Sequence, residues 1–265
     1  MSKIYTPITG AEIADVPDFS LAAVDAALDL ATKSFAAWRK VSASERGRIL
    51  TRAGQIMRER ADEIAELETL NTGKRLADTK REAIRAAECF EYYGGYADKL
   101  LGTVVPVPGE FHAYTEREPY GVVVGIIPWN VPYFFAAKKI APAIAFGNVS
   151  ILKPAAETPL TALKLQDILY EAGVPKGVVQ VLTGGPEVGK KLVADIRTKL
   201  VVFTSNSLAN FLNCSSSSQI SSFALVSPRS LPATKPSHGK RLRYSTFFAS
   251  AITALASYGL SPSTV

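Results

Sequence analysis

The feature that most restricts the fold of this sequence is an alternation of short apolar segments with helix-like segments between residues 122 and 204. The apolar segments contain few polar residues, as expected for strands of a parallel sheet that is covered on both faces. They are 122–127, 149–152, 178–182 and 200–203. The helical segments between them are 133–146, 159–172 and 186–195. Because connections between parallel strands are right-handed, the alternation predicts a Rossmann-like, doubly wound α/β unit.

Three amphipathic segments precede this unit and predict helices. Ser20 is the candidate N-cap of the first, and Ser42 with Glu45 forms a capping box at the start of the second. The second helix is predicted to run as one piece to near Gly73. The predicted helices are about 20–39, 42–73 and 75–93.

The residues between the helices and the alternating unit are rich in β-forming side chains. Two β-rich runs, 103–107 and 121–127, flank the segment 111–115, which could also pair. The sequence therefore divides into a helical part, a short β part, the alternating unit and a tail. Their bounds are 1–102, 103–121, 122–204 and 205–265.

Composition narrows the class of protein. The net charge of +6 arises in the last 61 residues, which hold five Lys or Arg and no Asp or Glu, because 1–204 has a net charge of only +1. Without a basic-aromatic stripe or a recognition helix, we predict no nucleic-acid partner. Two cysteines and two histidines argue against a disulfide scaffold and against a metal site. We predict a cytoplasmic protein without a membrane anchor at 245–260, because that stretch is short for a span.

The residues that follow each predicted strand are the candidate site, because ligands bind beyond the carboxyl ends of such strands. Asn130 is either a turn residue or a donor to an oxyanion. Lys153 either pairs with an internal carboxylate or holds ribose hydroxyls or a phosphate. The run from Gly184 to Gly189 is either a tight turn or a close approach to a nucleotide. Thr204 ends the fourth strand.

Several strings taken together resemble the aldehyde dehydrogenase superfamily over about residues 5–204. The strings, in chain order, are Pro7-Ile8-Thr9-Gly10, Glu68-Thr69-Leu70-Asn71-Thr72-Gly73-Lys74, Ala97-Asp98-Lys99, Gly125-Ile126-Ile127-Pro128-Trp129-Asn130, Ala141-Pro142-Ala143, Gly147-Asn148, Lys153-Pro154-Ala155, Thr158-Pro159, Glu171-Ala172-Gly173 and Pro175-Lys176-Gly177. The resemblance implies an incomplete fold of this family, with a parallel cofactor-binding sheet, N-terminal helices and a hairpin of an oligomerisation sheet at 103–121. It also implies NAD(P)-dependent oxidation of an aldehyde to a carboxylic acid.

The resemblance assigns roles residue by residue. Asn130 matches the asparagine that supports the oxyanion, and Lys153 matches the lysine that contacts the adenosine ribose. Other positions that match cofactor-binding residues are Ile126, Ile127, Pro128, Trp129, Ala156, Gly185, Gly189 and Thr204. Positions that match the lining of the aldehyde tunnel are Val131, Phe134, Phe135 and Lys138.

Two departures bear on specificity. Ala156 stands where members that prefer NAD carry a ribose-binding glutamate, with Glu157 one place later. Losing that carboxylate removes a repulsion against a 2′-phosphate, so either NAD or NADP is expected. Lys138 replaces a common tunnel tryptophan, which favours a polar or acidic aldehyde.

The third departure concerns catalysis. After Thr204 the sequence leaves the family pattern, and neither the Glu-Leu-Gly-Gly motif nor the Gly-Gln-x-Cys motif occurs in it. Cys89 is expected to be a small buried side chain, and Cys214 matches neither motif. We therefore expect an inactive fragment with weak dinucleotide binding and an unrelated, disordered tail, produced by a frameshift, a retained intron or a gene-model error. The alternative is a non-catalytic nucleotide-binding remnant, or a module that associates with itself or with full-length subunits.

Overall fold

The computed structural model describes residues 1–205 and 221–226. It opens with an antiparallel hairpin of β1, Ser2–Tyr5, and β2, Glu12–Val16. The sequence prediction missed this hairpin and treated 1–102 as helical. The reason is that each strand carries only one fully buried apolar side chain, Ile4 and Val16, so no clear alternation is visible in the sequence.

Four helices follow the hairpin. They are α1, Leu21–Trp38, α2, Ala43–Glu59, α3, Ala61–Thr72, and α4, Leu76–Tyr96. Ser20 and Ser42 cap α1 and α2 through their side-chain oxygens, as predicted. The single helix predicted over 42–73 is wrong, because the chain leaves helical geometry at Arg60, with φ −101° and ψ 17°. One non-helical residue leaves the apolar face nearly in phase, so periodicity could not reveal the break.

Helix α4 continues past residue 93, where the prediction ended it, through Gly94 and Gly95 to Tyr96. A Cβ atom on Gly94 would lie 2.6 Å from Thr51 Oγ1 and 3.0 Å from the carbonyl oxygen of Gly47. Gly94 therefore allows α4 to cross α2 closely, which is a packing role and not a stop signal.

The predicted parallel sheet is present. Its strands are β5, Val122–Ile126, β6, Val149–Lys153, β7, Val179–Val181, and β8, Thr198–Ser205, in the order β7-β6-β5-β8. The helices between them are α5, Pro132–Ala145, α6, Leu160–Ala172, and α7, Pro186–Ala194. Successive right-handed connections run outward from β5 to β7 and then return to β8. This reversal places α5 and α6 on one face and α7 on the other, where it packs against α1.

A fifth strand, β9, Ser221–Val226, pairs antiparallel with β8 from Leu200↔Val226 to Ser205↔Ser221. The sequence analysis predicted a disordered, unrelated tail over 205–265, and within that range this segment forms a strand. The reason is that β8 would otherwise present a row of unpaired backbone groups, which a β-prone segment can pair. Cys214 and the apolar stretch 245–260 lie outside the described residues.

A second hairpin lies between the helices and the sheet. It consists of β3, Val104–Val105, and β4, Ala113–Tyr114, which pair antiparallel, so 111–115 does pair with the first β-rich run. Its side chains are exposed, with 66% of the Val104 surface and 81% of the Phe111 surface accessible to solvent.

Candidate nucleotide-binding site

The carboxyl ends of the parallel strands meet at one edge of the sheet. Ile126 lies beside Lys153 on one neighbouring strand and beside Phe203 on the other. The Ile127 amide donates to the carbonyl oxygen of Lys153 at 3.2 Å. Since Thr204 directly follows Phe203, the structure brings four of the predicted site residues to the same edge. The strand order reverses between β5 and β8, which is where sheets of this kind bind ligands.

Lys153 is the buried cation of this edge, with 8% of its surface exposed. Burial lowers the pKa of its ammonium group, and the nearby Glu157 carboxylate raises it in part. Among the described residues Glu157 acts on Lys153 through space and forms no ion pair with it. An internal salt bridge, the first of the two readings of Lys153, is therefore not formed in the described part of the chain. A cation held in this way fits hydroxyl or phosphate oxygens of a ligand.

The turn between β7 and α7 is built on two glycines with different constraints. Gly184 has a φ of +135°, and a Cβ atom there would lie 2.9 Å from Val188 Cγ2, so the turn requires glycine. Gly185 is the N-cap of α7 with extended backbone, and a Cβ atom there would meet nothing within 4 Å. Gly185 thus borders open space in front of the N-terminus of α7. Gly189 is buried one turn into the helix.

The loop after β5 carries the Pro128-Trp129-Asn130 string. Pro128 and Asn130 are half-buried, whereas 56% of the Trp129 surface is exposed. The Asn130 Oδ1 atom is buried and has no hydrogen-bond partner within the described residues. Val131 is the N-cap of α5 but makes no side-chain cap bond. A buried amide oxygen without a partner lowers stability, so a function explains its place at this strand end better than stability does.

The predicted aldehyde-lining residues share one half-buried face at the start of α5. They are Val131, Phe134, Phe135 and Lys138. The Lys138 ammonium lies 5.4 Å from the centre of the Phe134 ring, a cation–π contact that holds the charge on this face. Lys138 also lies near Cys89 and lowers its pKa slightly, but burial dominates and raises the pKa of that thiol to about 12.

Glu68 and Asn71, to which the sequence analysis assigned no role, connect helix α3 to the starts of α5 and α6. Glu68 and Asn71 lie on the same buried face of α3, three residues apart, and both contact the first turns of the sheet helices. The signal that could have found them is an acid and an amide at helical spacing among apolar positions, because buried polar side chains need specific partners.

Ala156 and Glu157 lie in the loop between β6 and α6, Ala156 half-buried and Glu157 exposed. Thr204 is buried at the end of β8.

In the parts of the chain that the structure describes, no three His, Cys, Asp or Glu residues come together as metal ligands could. No helix within those parts is long and apolar enough to cross a bilayer.

A parallel sheet with a topological reversal, a buried lysine at its carboxyl edge and an open glycine turn before a helix define a Rossmann-like, doubly wound α/β unit. Comparison with known proteins extends this to a family: the model described as "Aldehyde dehydrogenase family" matches residues 1–210. The chain belongs to the aldehyde dehydrogenase family.

Individual relatives agree with the family match. The chain is 41% identical over 201 residues to 4-trimethylaminobutyraldehyde dehydrogenase B of Danio rerio, covering 76% of this chain and 39% of that protein. It is 44% identical over 212 residues to phenylacetaldehyde dehydrogenase of Pseudomonas fluorescens, covering 76% of this chain and 42% of that protein. The chain thus spans about two fifths of the length of these curated relatives.

Solved structures confirm the predicted fold. PnpE in complex with nicotinamide adenine dinucleotide superimposes with a TM-score of 0.75 at 38% identity, covering 76% of this chain and 42% of that one. An aldehyde dehydrogenase from Brucella melitensis biovar abortus 2308 gives a TM-score of 0.77 at 34% identity, covering 80% and 45%. The described residues form an incomplete aldehyde-dehydrogenase-like fold.

Proposed function

We propose that this chain is the nucleotide-binding part of an aldehyde dehydrogenase and holds the adenosine half of NAD or NADP at the carboxyl edge of its sheet. The observation that carries the proposal is Lys153, a buried lysine without an ion pair in the described residues, at the end of β6, which pairs with β7, the strand that leads to the open space at Gly185. Lys153 binds the ribose hydroxyls. Gly185 and Gly189 let the backbone of α7 approach the adenine, and the N-terminus of α7 favours a nearby anion.

The remaining cofactor contacts follow the strand ends. They are Ile126, Ile127, Pro128, Trp129, Ala156 and Thr204. Because Ala156 supplies no carboxylate, no negative charge at that position repels a 2′-phosphate, and both dinucleotides are accepted. Affinity is weaker than micromolar, since the sequence after Thr204 departs from the family pattern, in which a helix N-terminus at this place faces the pyrophosphate.

We propose that the 265-residue chain does not oxidise aldehydes by itself. The bound dinucleotide would supply the hydride acceptor, and Asn130 would supply an amide donor for the oxyanion. The attacking thiolate is the missing part: burial keeps Cys89 as a thiol at neutral pH, with a pKa of about 12. Phenylacetaldehyde and amino-aldehydes, together with an acidic aldehyde of the kind that Lys138 on the lining of α5 favours, should therefore all give no turnover.

Titration calorimetry of the whole chain tests the binding proposal. NAD, NADP and ADP-ribose are titrated into the chain and into the variants Lys153→Met and Lys33→Met. Lys33 is an exposed lysine of α1 and serves as the matched control. We expect weak binding of all three ligands, lost in Lys153→Met and kept in Lys33→Met. Equal binding by both variants would contradict the assignment of Lys153.

A second candidate function is association with other aldehyde dehydrogenase subunits. The exposed apolar side chains of the β3–β4 hairpin favour it, because a surface of this kind is usually covered. Cross-linking of the tagged chain, co-expressed with a full-length subunit, tests this possibility, and loss of the cross-link in Val104→Lys identifies the hairpin. A cytoplasmic location stays a prediction, which cell fractionation can test.

A further inference from the structure

Helices α5 and α6 begin without side-chain caps of their own. The N-cap of α5 is Val131 and that of α6 is Pro159, and neither makes a side-chain cap hydrogen bond. The first N–H groups of a helix have no partner within the helix and must find one elsewhere. The loops that lead into these two helices also carry the proposed nucleotide site.

One face of α3 supplies the missing partners. Glu68 Oε1 accepts a hydrogen bond from the Tyr133 amide in the first turn of α5 at 3.3 Å, and Glu68 Oε2 accepts one from the Thr161 hydroxyl in the first turn of α6. Asn71 Oδ1 accepts a hydrogen bond from the Leu160 amide, the first of α6, at 3.2 Å. A single carboxylate thus joins the starts of both helices.

Asn71 also reaches into the loop before α6. Its Nδ2 donates to the main-chain oxygen of Glu157 at 3.0 Å. Glu157 is the residue whose carboxylate raises the pKa of Lys153. Asn71 therefore fixes the backbone that sets the electrostatic environment of the ribose-binding lysine.

We infer that Glu68 and Asn71 are positioning residues of the nucleotide site, which hold the loops 127–131 and 154–159 in register from one helix face. The inference rests on the proposed function, because it assumes that these two loops bind the dinucleotide. Neither residue contacts the ligand directly; they act through Asn130 on one loop and through Lys153 and Glu157 beside the other.

Burying the ionisable carboxyl of Glu68 costs desolvation free energy, which a role in packing alone would not require. Only 1% of Glu68 is exposed, and burial raises the pKa of its carboxyl to about 7, while the bonds from Thr161 and Tyr133 lower it. The charged groups that face it are Glu82 of α4, which raises the pKa, and Lys74, which lowers it. The Tyr133 hydroxyl of α5 is itself buried, with its pKa raised well above its usual value.

A glutamine would make similar contacts without the desolvation cost of a charge. A carboxylate is nevertheless the stronger acceptor for helix N–H groups, and its charge suits two helix N-termini. Burial nevertheless outweighs these bonds and raises the pKa of Glu68 to about 7, so the folded arrangement favours the neutral acid and the clamp should loosen as the pH rises toward 7. This gives the positioning role a signature that a purely structural role would not have.

The first experiment measures hydrogen exchange of the Tyr133 and Leu160 amides in the whole chain from pH 5.5 to 8.5, corrected for intrinsic rates and referred to the buried Val124 amide. In the unsubstituted chain we expect protection of Tyr133 to fall about tenfold or more as the pH rises from 5.5 to 8.5, most of it below pH 7, because Glu68 ionises more readily in the opened state than in the folded one. Glu68→Gln should remove this step. Glu66→Gln, an exposed acid on the same helix, should keep it.

Two variants separate the functions of Asn71. Asn71→Leu removes both hydrogen bonds, so the Leu160 amide should exchange faster. Asn71→Asp keeps the acceptor for Leu160 but loses the donor to Glu157, so Leu160 should stay protected while ADP-ribose binding still weakens. Asn71→Asp also covers the case in which Asn71→Leu fails to fold.

The second experiment measures ADP-ribose affinity of the same proteins over the same pH range. We expect affinity to follow the Tyr133 protection, with a pH step that Glu68→Gln abolishes. Unchanged exchange in Glu68→Gln at every pH, or unchanged affinity in variants whose amides exchange faster, would overturn the positioning role. If the unsubstituted chain binds no nucleotide, the proposed function fails and the role in a nucleotide site fails with it, while the exchange data still decide whether α3 holds the two loops.

Discussion

The central strand β5 and the hairpin strand β3 both contain consecutive valines, yet their surroundings are opposite. In β5, Val122 and Val124 are 3% and 0% exposed, whereas Val104 and Val105 of β3 are 66% and 41% exposed. Strand propensity describes how well a side chain fits a pleated, half-buried surface and says nothing about what covers it. The comparison teaches that the same local sequence can be core in one place and an uncovered surface in another.

The two regions also differ in what stabilises them. Burial of one valine contributes about 1.5–3 kcal/mol, and every side chain of β5 is buried between helices and neighbouring strands. The β3–β4 hairpin has two short strands and exposed side chains, and an isolated two-stranded hairpin is marginal in water. We therefore expect mutations in the two regions to act on different properties, namely on the folding of the sheet and on the association of the hairpin.

The largest effect should come from placing a charge in the two strands. Val124→Asp buries an uncompensated carboxylate between packed layers and should cost about 4 kcal/mol or more, enough to prevent folding. Val104→Asp, at the exposed valine of β3, should leave the free energy of unfolding unchanged within about 0.5 kcal/mol. Urea unfolding followed by circular dichroism measures both, and equal destabilisation would show that the hairpin is part of the core.

The second prediction concerns the lysine that covers β5. Lys139 of α5 is 6% exposed and lies over Gly125, where a Cβ atom would be 3.1 Å from that of Lys139. Burial lowers the Lys139 pKa from 10.5 to about 7, with a smaller contribution from Lys138. The folded state thus disfavours the charged form, and this site loses stability as pH falls from 10.5 to 7 and no more below that.

Lys139→Met should remove that dependence and stabilise the chain at pH 7 by an amount on the order of a few kcal/mol. Lys138→Met, one residue earlier on the same helix and only half-buried, is the control and should keep the dependence. Thermal unfolding of the three proteins between pH 7 and 10 provides the measurement. Parallel curves for the unsubstituted chain and Lys139→Met would contradict the prediction.

The third prediction addresses the uncovered hairpin directly. At micromolar concentration the chain should self-associate or aggregate through β3–β4, and Val104→Lys combined with Phe111→Lys should shift it toward monomer. Leu21→Lys replaces an exposed leucine of α1, 52% accessible, and should leave association unchanged. Sedimentation velocity distinguishes these cases. A stable monomer of the unsubstituted chain would show that the hairpin needs no partner.

The sheet was predictable because its signal is local. Four apolar segments with helices between them specify parallel strands. Glycine and capping residues mark the ends of helices, as Ser42 does at the start of α2. Three features were not predictable, since each depends on contacts between distant residues. The helix break at Arg60 does not disturb the spacing of the apolar residues, so the periodicity gives no sign of it. Gly94 allows α4 to cross α2 closely, and the pairing of β9 requires the open edge of β8.

The candidate site shows the same division. The sequence placed Asn130 and Lys153 after their strands, because position relative to a strand end can be read locally. It gave no role to Glu68 and Asn71, whose partners are 65 and 89 residues away in the chain. Whether the assigned residues bind a dinucleotide stays a prediction.

The smallest effect on stability should occur at the glycine turn where the sheet meets solvent. Gly184→Ala should destabilise the chain by about 1–3 kcal/mol, because its positive φ and the contact with Val188 exclude a Cβ atom. Gly185→Ala should change the free energy of unfolding by less than about 0.5 kcal/mol, since its φ of −72° suits alanine and a Cβ atom there meets nothing within 4 Å. The same open space is where we place the adenosine.

Gly185→Ala should therefore weaken ADP-ribose binding in calorimetry while its unfolding curve overlays that of the unsubstituted chain. Gly95→Ala, at a glycine that also borders open space but lies on α4, controls for an added methyl group. Unchanged ADP-ribose affinity in Gly185→Ala would mean that no ligand occupies the space in front of α7.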